Sequence, residues 1–112
     1  MKNQYPPDAD GDALNRIAKD GSDMSKPMGI DFFVAVATEG GGHLIANAAN
    51  QLGYETEIVF DEESGDLTCY CTKVMVPEYD AVIEAQKELD QLAKPHEGFS
   101  DGWGTLGNSL KP

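Results

Sequence analysis

The pattern of hydrophobic and polar positions predicts a strand and then a helix in the first half of the chain. Residues 28–37 are rich in β-branched and aromatic side chains, and from Phe32 onward both alternating faces are apolar. Such a run is typical of a strand in the middle of a sheet. Residues 42–52 carry apolar side chains on one helical stripe, which ends at Gly53. We therefore expect a central strand followed by an amphipathic helix.

The second half predicts a hairpin, another amphipathic helix and a last strand. Apolar and acidic residues alternate over residues 54–61, residues 64–66 form a turn, and residues 67–76 form the returning strand. A hydrophobic stripe with a proline in its first turn predicts a helix over residues 77–94. Residues 98–106 predict a strand of weak propensity, because they contain three glycines.

The two ends of the chain differ from this middle part. Residues 1–11 contain two consecutive prolines and predict a flexible leader. Residues 12–19 predict a short amphipathic helix with Asp12 as its N-cap. We interpret residues 12–107 as a single domain and residues 108–112 as a short tail.

The order of the elements predicts the fold class. After the short N-terminal helix, the order is strand, helix, strand, strand, helix, strand, which is the split βαβ pattern of ferredoxin-like α+β domains. This fold has a four-stranded antiparallel sheet with two helices on one face. Right-handed crossovers place the first and third strands in the middle of the sheet.

Length, composition and charge narrow the class of protein. The chain has 112 residues, 40% hydrophobic and 25% charged, which suits one globular domain and excludes disorder for most of the chain. Its net charge of −12 argues against direct binding to nucleic acid or to an anionic membrane, and favours a basic protein partner. Because the sequence has neither a signal-peptide pattern nor a membrane-spanning run, we expect a cytoplasmic protein.

The two cysteines are the first candidates for a metal site. Cys69 and Cys71 lie two positions apart, so a strand would point both thiols to one face. A structural zinc ion needs four nitrogen or sulfur ligands, and only His43 and His96 could complete the set. We interpret the cysteines as reduced structural thiols that bind no metal.

Two further motifs resemble ligand sites only in part. The acidic string that begins at Asp8 starts like a calcium loop, but it has Ala13 where the glycine is required and Lys19 where the last glutamate is required. The glycines at residues 40–42 open a helix without the lysine of a phosphate loop, and Glu39 would repel a phosphate. We expect no cofactor. Since no catalytic motif is present either, we expect a protein that is not an enzyme.

The densest run of acids predicts a docking surface. It has no base between Tyr54 and Asp66 and comprises Glu55, Glu57, Asp61, Glu62, Glu63 and Asp66. Such an edge would steer a basic partner, with Tyr54 or Tyr70 as a partly exposed aromatic anchor beside it. Alternatively, the acids only keep an edge strand from aggregating. Trp103 also has two interpretations, as a side chain packed on the sheet or as an exposed anchor at an interface.

Five short strings carry a resemblance to a known family. They are Asp20-Gly21-Ser22-Asp23, Leu52-Gly53-Tyr54-Glu55, Gly65-Asp66, Cys69, and Asp101-Gly102-Trp103-Gly104-Thr105. In their order and spacing, over about residues 12–106, the chain resembles the family called regulator of ribonuclease activity B, the protein inhibitors of ribonuclease E. Members of that family carry a strongly acidic tail after the tryptophan string, whereas Lys111 is the one charge in residues 106–112 here.

The resemblance implies a function that composition alone does not. It implies a ferredoxin-like, non-catalytic acidic protein that binds and inhibits an RNA-degrading enzyme of the ribonuclease E type. It does not isolate contact residues from structural ones. An immunity-type or adaptor domain of the same fold, which binds a different basic protein, stays open as the alternative.

Overall fold

The computed structural model of the protein describes residues 5–108, which form three helices, four strands and one 3-10 turn. In chain order these are α1 (Ala9–Lys19), β1 (Met28–Val36), α2 (Glu39–Gln51), β2 (Glu55–Phe60), β3 (Leu67–Met75), α3 (Tyr79–Ala93), the 3-10 turn (Lys94–His96) and β4 (Phe99–Thr105). Within residues 5–108, every helix is too short or too polar to cross a lipid bilayer.

The four strands form one antiparallel sheet in the order β2-β3-β1-β4. The first and third strands therefore lie in the middle, as the order of elements predicts. The buried residues of α2 and α3 share one core with alternate residues of β1, which places both helices on the same face. The predicted α+β fold with a short N-terminal helix is confirmed.

The core lies between the sheet and these two helices. Phe32 and Val34 of β1 are fully buried in it, and so are Cys69 and Cys71 of β3. Strand side chains alternate between the two faces, so these residues share the helix face of the sheet. Ile45 of α2 closes the core from the other side.

The first helix begins three residues earlier than the sequence predicts. Its N-cap is Asp8 and not Asp12, because the Asp8 backbone is extended and its carboxylate accepts a hydrogen bond of 2.8 Å from the Gly11 amide. The Tyr79 hydroxyl also donates to Asp8, at 2.5 Å, and this bond together with the Gly11 amide lowers the pKa of Asp8. The end of the predicted leader, residues 9–11, is therefore helical.

The other two helices also begin at residues other than those predicted. Helix α2 begins at Glu39, because the Thr38 hydroxyl caps it by accepting a hydrogen bond of 3.0 Å from the Gly41 amide. A Cβ atom at Gly42 would lie 3.3 Å from Ile58, so glycine there lets the helix approach the sheet closely. Helix α3 begins after its predicted proline, since Glu78 still has an extended backbone.

Candidate docking surface

The sheet has a second face, on which no helix of residues 5–108 packs. We call this side the open face. Its positions follow from the strand register and the alternation of buried residues. They are Gly29, Asp31, Phe33 and Ala35 of β1; Glu55, Glu57 and Val59 of β2; Thr68, Tyr70, Thr72 and Val74 of β3; and Phe99 and Gly104 of β4.

Aromatic and aliphatic side chains form the middle of the open face. Tyr70 lies opposite Phe33, and their rings meet edge to face with centroids 5.1 Å apart. Residues paired across the four strands form rows on the open face. In the row next to Tyr70 and Phe33, Val59 and Phe99 lie on either side of the pair Thr68 and Ala35. Phe99 is 54% exposed, so this apolar centre extends to the edge of the sheet and reaches solvent.

Acidic side chains border this apolar centre. Glu57 lies directly opposite Tyr70, and Glu55 lies opposite Thr72 in the next row. The Thr72 hydroxyl donates a hydrogen bond of 2.5 Å to the Asp31 carboxylate, which belongs to the same row. None of the positions that define the open face is a lysine or an arginine. The surface therefore combines partly exposed aromatic rings, and the exposed ring of Phe99, with uncompensated negative charge.

Five of the predicted site residues lie on or beside the open face. Glu55, Glu57 and Tyr70 share it, and Tyr70 is partly exposed as expected. Glu62 and Glu63 are exposed in the turn that connects β2 to β3, at one end of the same edge. We call the exposed acids of β2 and this turn the acidic edge: Glu55, Glu57, Asp61, Glu62, Glu63 and Asp66.

Tyr54 does not lie on this surface, and its expected exposure is wrong. It is 3% exposed, and its ring packs edge to face against Phe32 in the core. Its hydroxyl donates a hydrogen bond of 3.0 Å to Glu88, and the Lys73 ammonium lies 4.3 Å from its ring centroid. Burial and Glu88 raise the pKa of Tyr54. The sequence already indicated that Tyr54 is buried. Along the strand, Tyr54 and the apolar Ile58 occupy positions on one face, whereas the acids occupy positions on the other.

Trp103 also lies on the helix face, where it is half-buried. It is opposite Phe32 in the register, and its indole nitrogen donates a hydrogen bond of 2.7 Å to Asp10. Gln86 of α3 donates to the same Asp10 oxygen at 3.1 Å. These contacts support the interpretation of Trp103 as a packed residue that ties α1, α3 and β4 together.

Phe33, Phe99 and Asp31 were not predicted as site residues. Phe33 belongs to a run of residues in which both faces of the strand are apolar. Sequence alone does not show which of two apolar faces is covered by helices and which is open. Phe99 lies at the start of a strand of weak propensity. The useful signal was Asp31, since one acid inside an otherwise apolar strand indicates a face that meets solvent.

Comparison with protein families tests the family resemblance that the five short sequence strings indicate. A family model described as regulator of ribonuclease activity B matches residues 7–105. The chain belongs to this family. The match includes all four strands, so both the open face and the acidic edge lie inside it. Membership in the regulator of ribonuclease activity B family supports a regulatory role toward a ribonuclease. A comparison with curated proteins found no match.

The remaining polar motifs of this family member have local structural roles. Asp8 caps α1, and Asp10 accepts hydrogen bonds from Gln86 and Trp103, so two of the three carboxylates at the start of the calcium-like string have partners. In the part of the chain that the structure describes, no three histidine, cysteine or acidic side chains gather closely enough to hold a metal ion.

The two cysteines lie side by side in the core of this regulator. Their sulfur atoms are 3.8 Å apart, and contact with Cys69 together with burial raises the pKa of Cys71. A buried thiol of raised pKa is a poor metal ligand, because metals bind the thiolate. We expect elemental analysis of protein purified without chelator to find no stoichiometric zinc. One equivalent that survives dialysis would contradict this prediction, and alanine variants of His43 and His96 would then identify ligands.

Proposed function

We propose that this chain is a non-catalytic inhibitor of a ribonuclease of the ribonuclease E type, and that it acts in the cytoplasm. The observation that carries the proposal is the acidic edge next to the partly exposed ring of Tyr70, in a member of a family of ribonuclease regulators. The proposed target is a basic region of the enzyme, because RNA-binding enzymes present positive charge to the phosphate backbone. Occupying that region would compete with RNA.

The titratable groups whose pKa values are shifted favour a binding role over catalysis. Catalytic groups with shifted pKa values usually face a cleft that admits substrate. Here the shifts have local causes: Asp8 and Tyr79 bond to each other, Tyr54 bonds to Glu88, and the two cysteines contact each other within the core. Each of these shifts is therefore explained by a contact that stabilises the fold, without a catalytic role.

The proposed function is tested by an inhibition assay with the purified ribonuclease. Cleavage of a fluorogenic RNA should fall as the chain is added, and the chain alone should neither cleave nor bind that RNA. Raising the RNA concentration should relieve the inhibition if both compete for one basic region. Unchanged cleavage at saturating chain would overturn the proposal. Binding to another basic protein would then favour the immunity-type or adaptor alternative.

Neutralising the acidic edge should slow association with the ribonuclease. The test variant replaces four of its acids with glutamine: Glu55, Glu57, Glu62 and Glu63. Because exposed charges act mainly by steering, we expect the association rate to fall about tenfold or more at low salt. The salt dependence should flatten, since the Debye length is about 8 Å at physiological ionic strength.

A matched control neutralises four exposed acids elsewhere on the surface. These are Asp12, Glu39, Glu84 and Glu97, changed to the corresponding amides. The control has the same net charge as the test variant, so a slower rate confined to the test variant would reflect position and not total charge. Equal rates for the two variants would contradict the acidic edge as the steering surface.

A further inference from the structure

We infer that the open face binds an arginine-rich protein segment, whose guanidinium groups stack on Tyr70 and Phe33 and pair with Glu57 and Asp31. This inference rests on the proposed function and deepens it, because it names the chemistry of the partner's segment and the surface that binds it. The acidic edge accelerates the encounter. The open face supplies the contacts that hold the complex together.

The aromatic pair at the centre of the open face is accessible because glycines lie beside it. A Cβ atom at Gly104 would lie 3.5 Å from the Phe33 ring, and one at Gly102 would lie 3.9 Å from it. A larger side chain at either position would cover that ring. Gly102 also has a φ of 101° in the irregular part of β4 that lies opposite Phe33. The glycines on either side of Trp103 thus leave one edge of the aromatic pair uncovered.

The charge around the aromatic pair selects a basic occupant. Glu57 lies beside Tyr70, and Glu55 and Asp31 lie in the adjacent row of the register. A second copy of this chain would bring the same acids against one another, in a molecule whose net charge is −12. Self-association through the open face is therefore disfavoured, and a cationic partner is favoured.

Arginine fits this surface better than lysine. Its planar guanidinium stacks on aromatic rings and forms paired hydrogen bonds with a carboxylate, whereas an ammonium is a compact and strongly hydrated charge. On the open face, ring and carboxylate adjoin in the row Glu57–Tyr70–Phe33. One guanidinium can therefore lie over a ring and reach the neighbouring carboxylate. Surrounding apolar side chains such as Val59 and Ala35 reduce competition from water.

The inference is tested first by a substitution that blocks the surface. Gly104→Leu should cover Phe33 without straining the backbone, because a Cβ there meets the ring at an ordinary contact distance of 3.5 Å. The probe is a short fluorescent peptide of alternating arginine and serine, and the measurement is its anisotropy at low salt. We expect the variant to bind the peptide about tenfold or more weakly than the wild type, with an unchanged urea midpoint.

A matched pair of phenylalanine variants distinguishes peptide binding at the open face from binding through any exposed hydrophobic side chain. Phe99 and Phe60 are 54% and 57% exposed, but Phe99 lies on the open face and Phe60 on the helix face, opposite Leu67. Phe99→Ala should weaken peptide binding several-fold, whereas Phe60→Ala should leave it unchanged. Equal losses for the two variants would overturn the inference. So would equal affinity for a matched lysine-serine peptide.

The same variants distinguish failure of this inference from failure of the proposed function. If the wild-type chain inhibits the ribonuclease and Gly104→Leu inhibits it equally well, the surface assignment is wrong while the proposed function stands. If the wild-type chain binds the arginine peptide on the open face but does not inhibit the ribonuclease, the surface stands and the ribonuclease is the wrong target. Light scattering that detects a dimer lost in Gly104→Leu would identify a second copy as the occupant instead.

Discussion

Trp103→Ala is expected to lower the free energy of unfolding by about 3 kcal/mol, the typical cost of removing a large packed aromatic side chain. The ring lies on the helix face opposite the fully buried Phe32, and its indole nitrogen donates to Asp10. Because Asp10 also accepts from Gln86, the substitution would loosen the attachment of α1 to α3 as well as remove packing. A urea melt followed by circular dichroism measures the change.

Trp103→Phe is the matched control for this prediction. It keeps most of the apolar contact and removes the hydrogen bond to Asp10, so we expect a smaller loss, of about 1 kcal/mol. An unchanged urea midpoint for Trp103→Ala would mean that the ring contributes nothing to packing. Trp103 would then become a candidate for an interface anchor.

Gly98→Ala should destabilise the domain by about 2 kcal/mol, because the added methyl group has no space. Gly98 is buried just before β4, and a Cβ atom there would lie 2.8 Å from the Ala35 carbonyl oxygen and 3.0 Å from Ile45. The first of these neighbours is backbone of the central strand and cannot rotate away. The start of β4 would have to shift, and the Gly98 amide would then strain its hydrogen bond of 3.0 Å to Ala93.

Gly40→Ala provides the comparison for Gly98→Ala. Gly40 lies in the first turn of α2, and a Cβ atom there would meet nothing within 4 Å. Alanine is the better helix former, so we expect a change between zero and about 1 kcal/mol in the stabilising direction. The urea midpoints of the two variants should therefore move apart. Equal midpoints would show that β4 can begin elsewhere at no cost.

The sequence by itself determined the elements and their order. Residues 28–37 and 67–76 predicted the two central strands, and the order of the elements predicted the sheet with its helices on one face. This worked because hydrophobic periodicity records which side of an element is buried, and that is a local property of the chain. The alternation that follows Tyr54 predicted the strand itself, but the expectation that Tyr54 is a partly exposed anchor was wrong, and Phe60 on the same face as Tyr54 is 57% exposed.

The tertiary structure alone decided where the helices begin and which surface stays open. Asp8 replaces Asp12 as the cap of α1, and its carboxylate is also held by Tyr79, a residue far away in the sequence. Phe33 and Phe32 are adjacent phenylalanines in one strand, yet only Phe32 is fully buried, because both helices pack on its face of the sheet. Such outcomes depend on contacts between distant segments, which no local pattern of residues records.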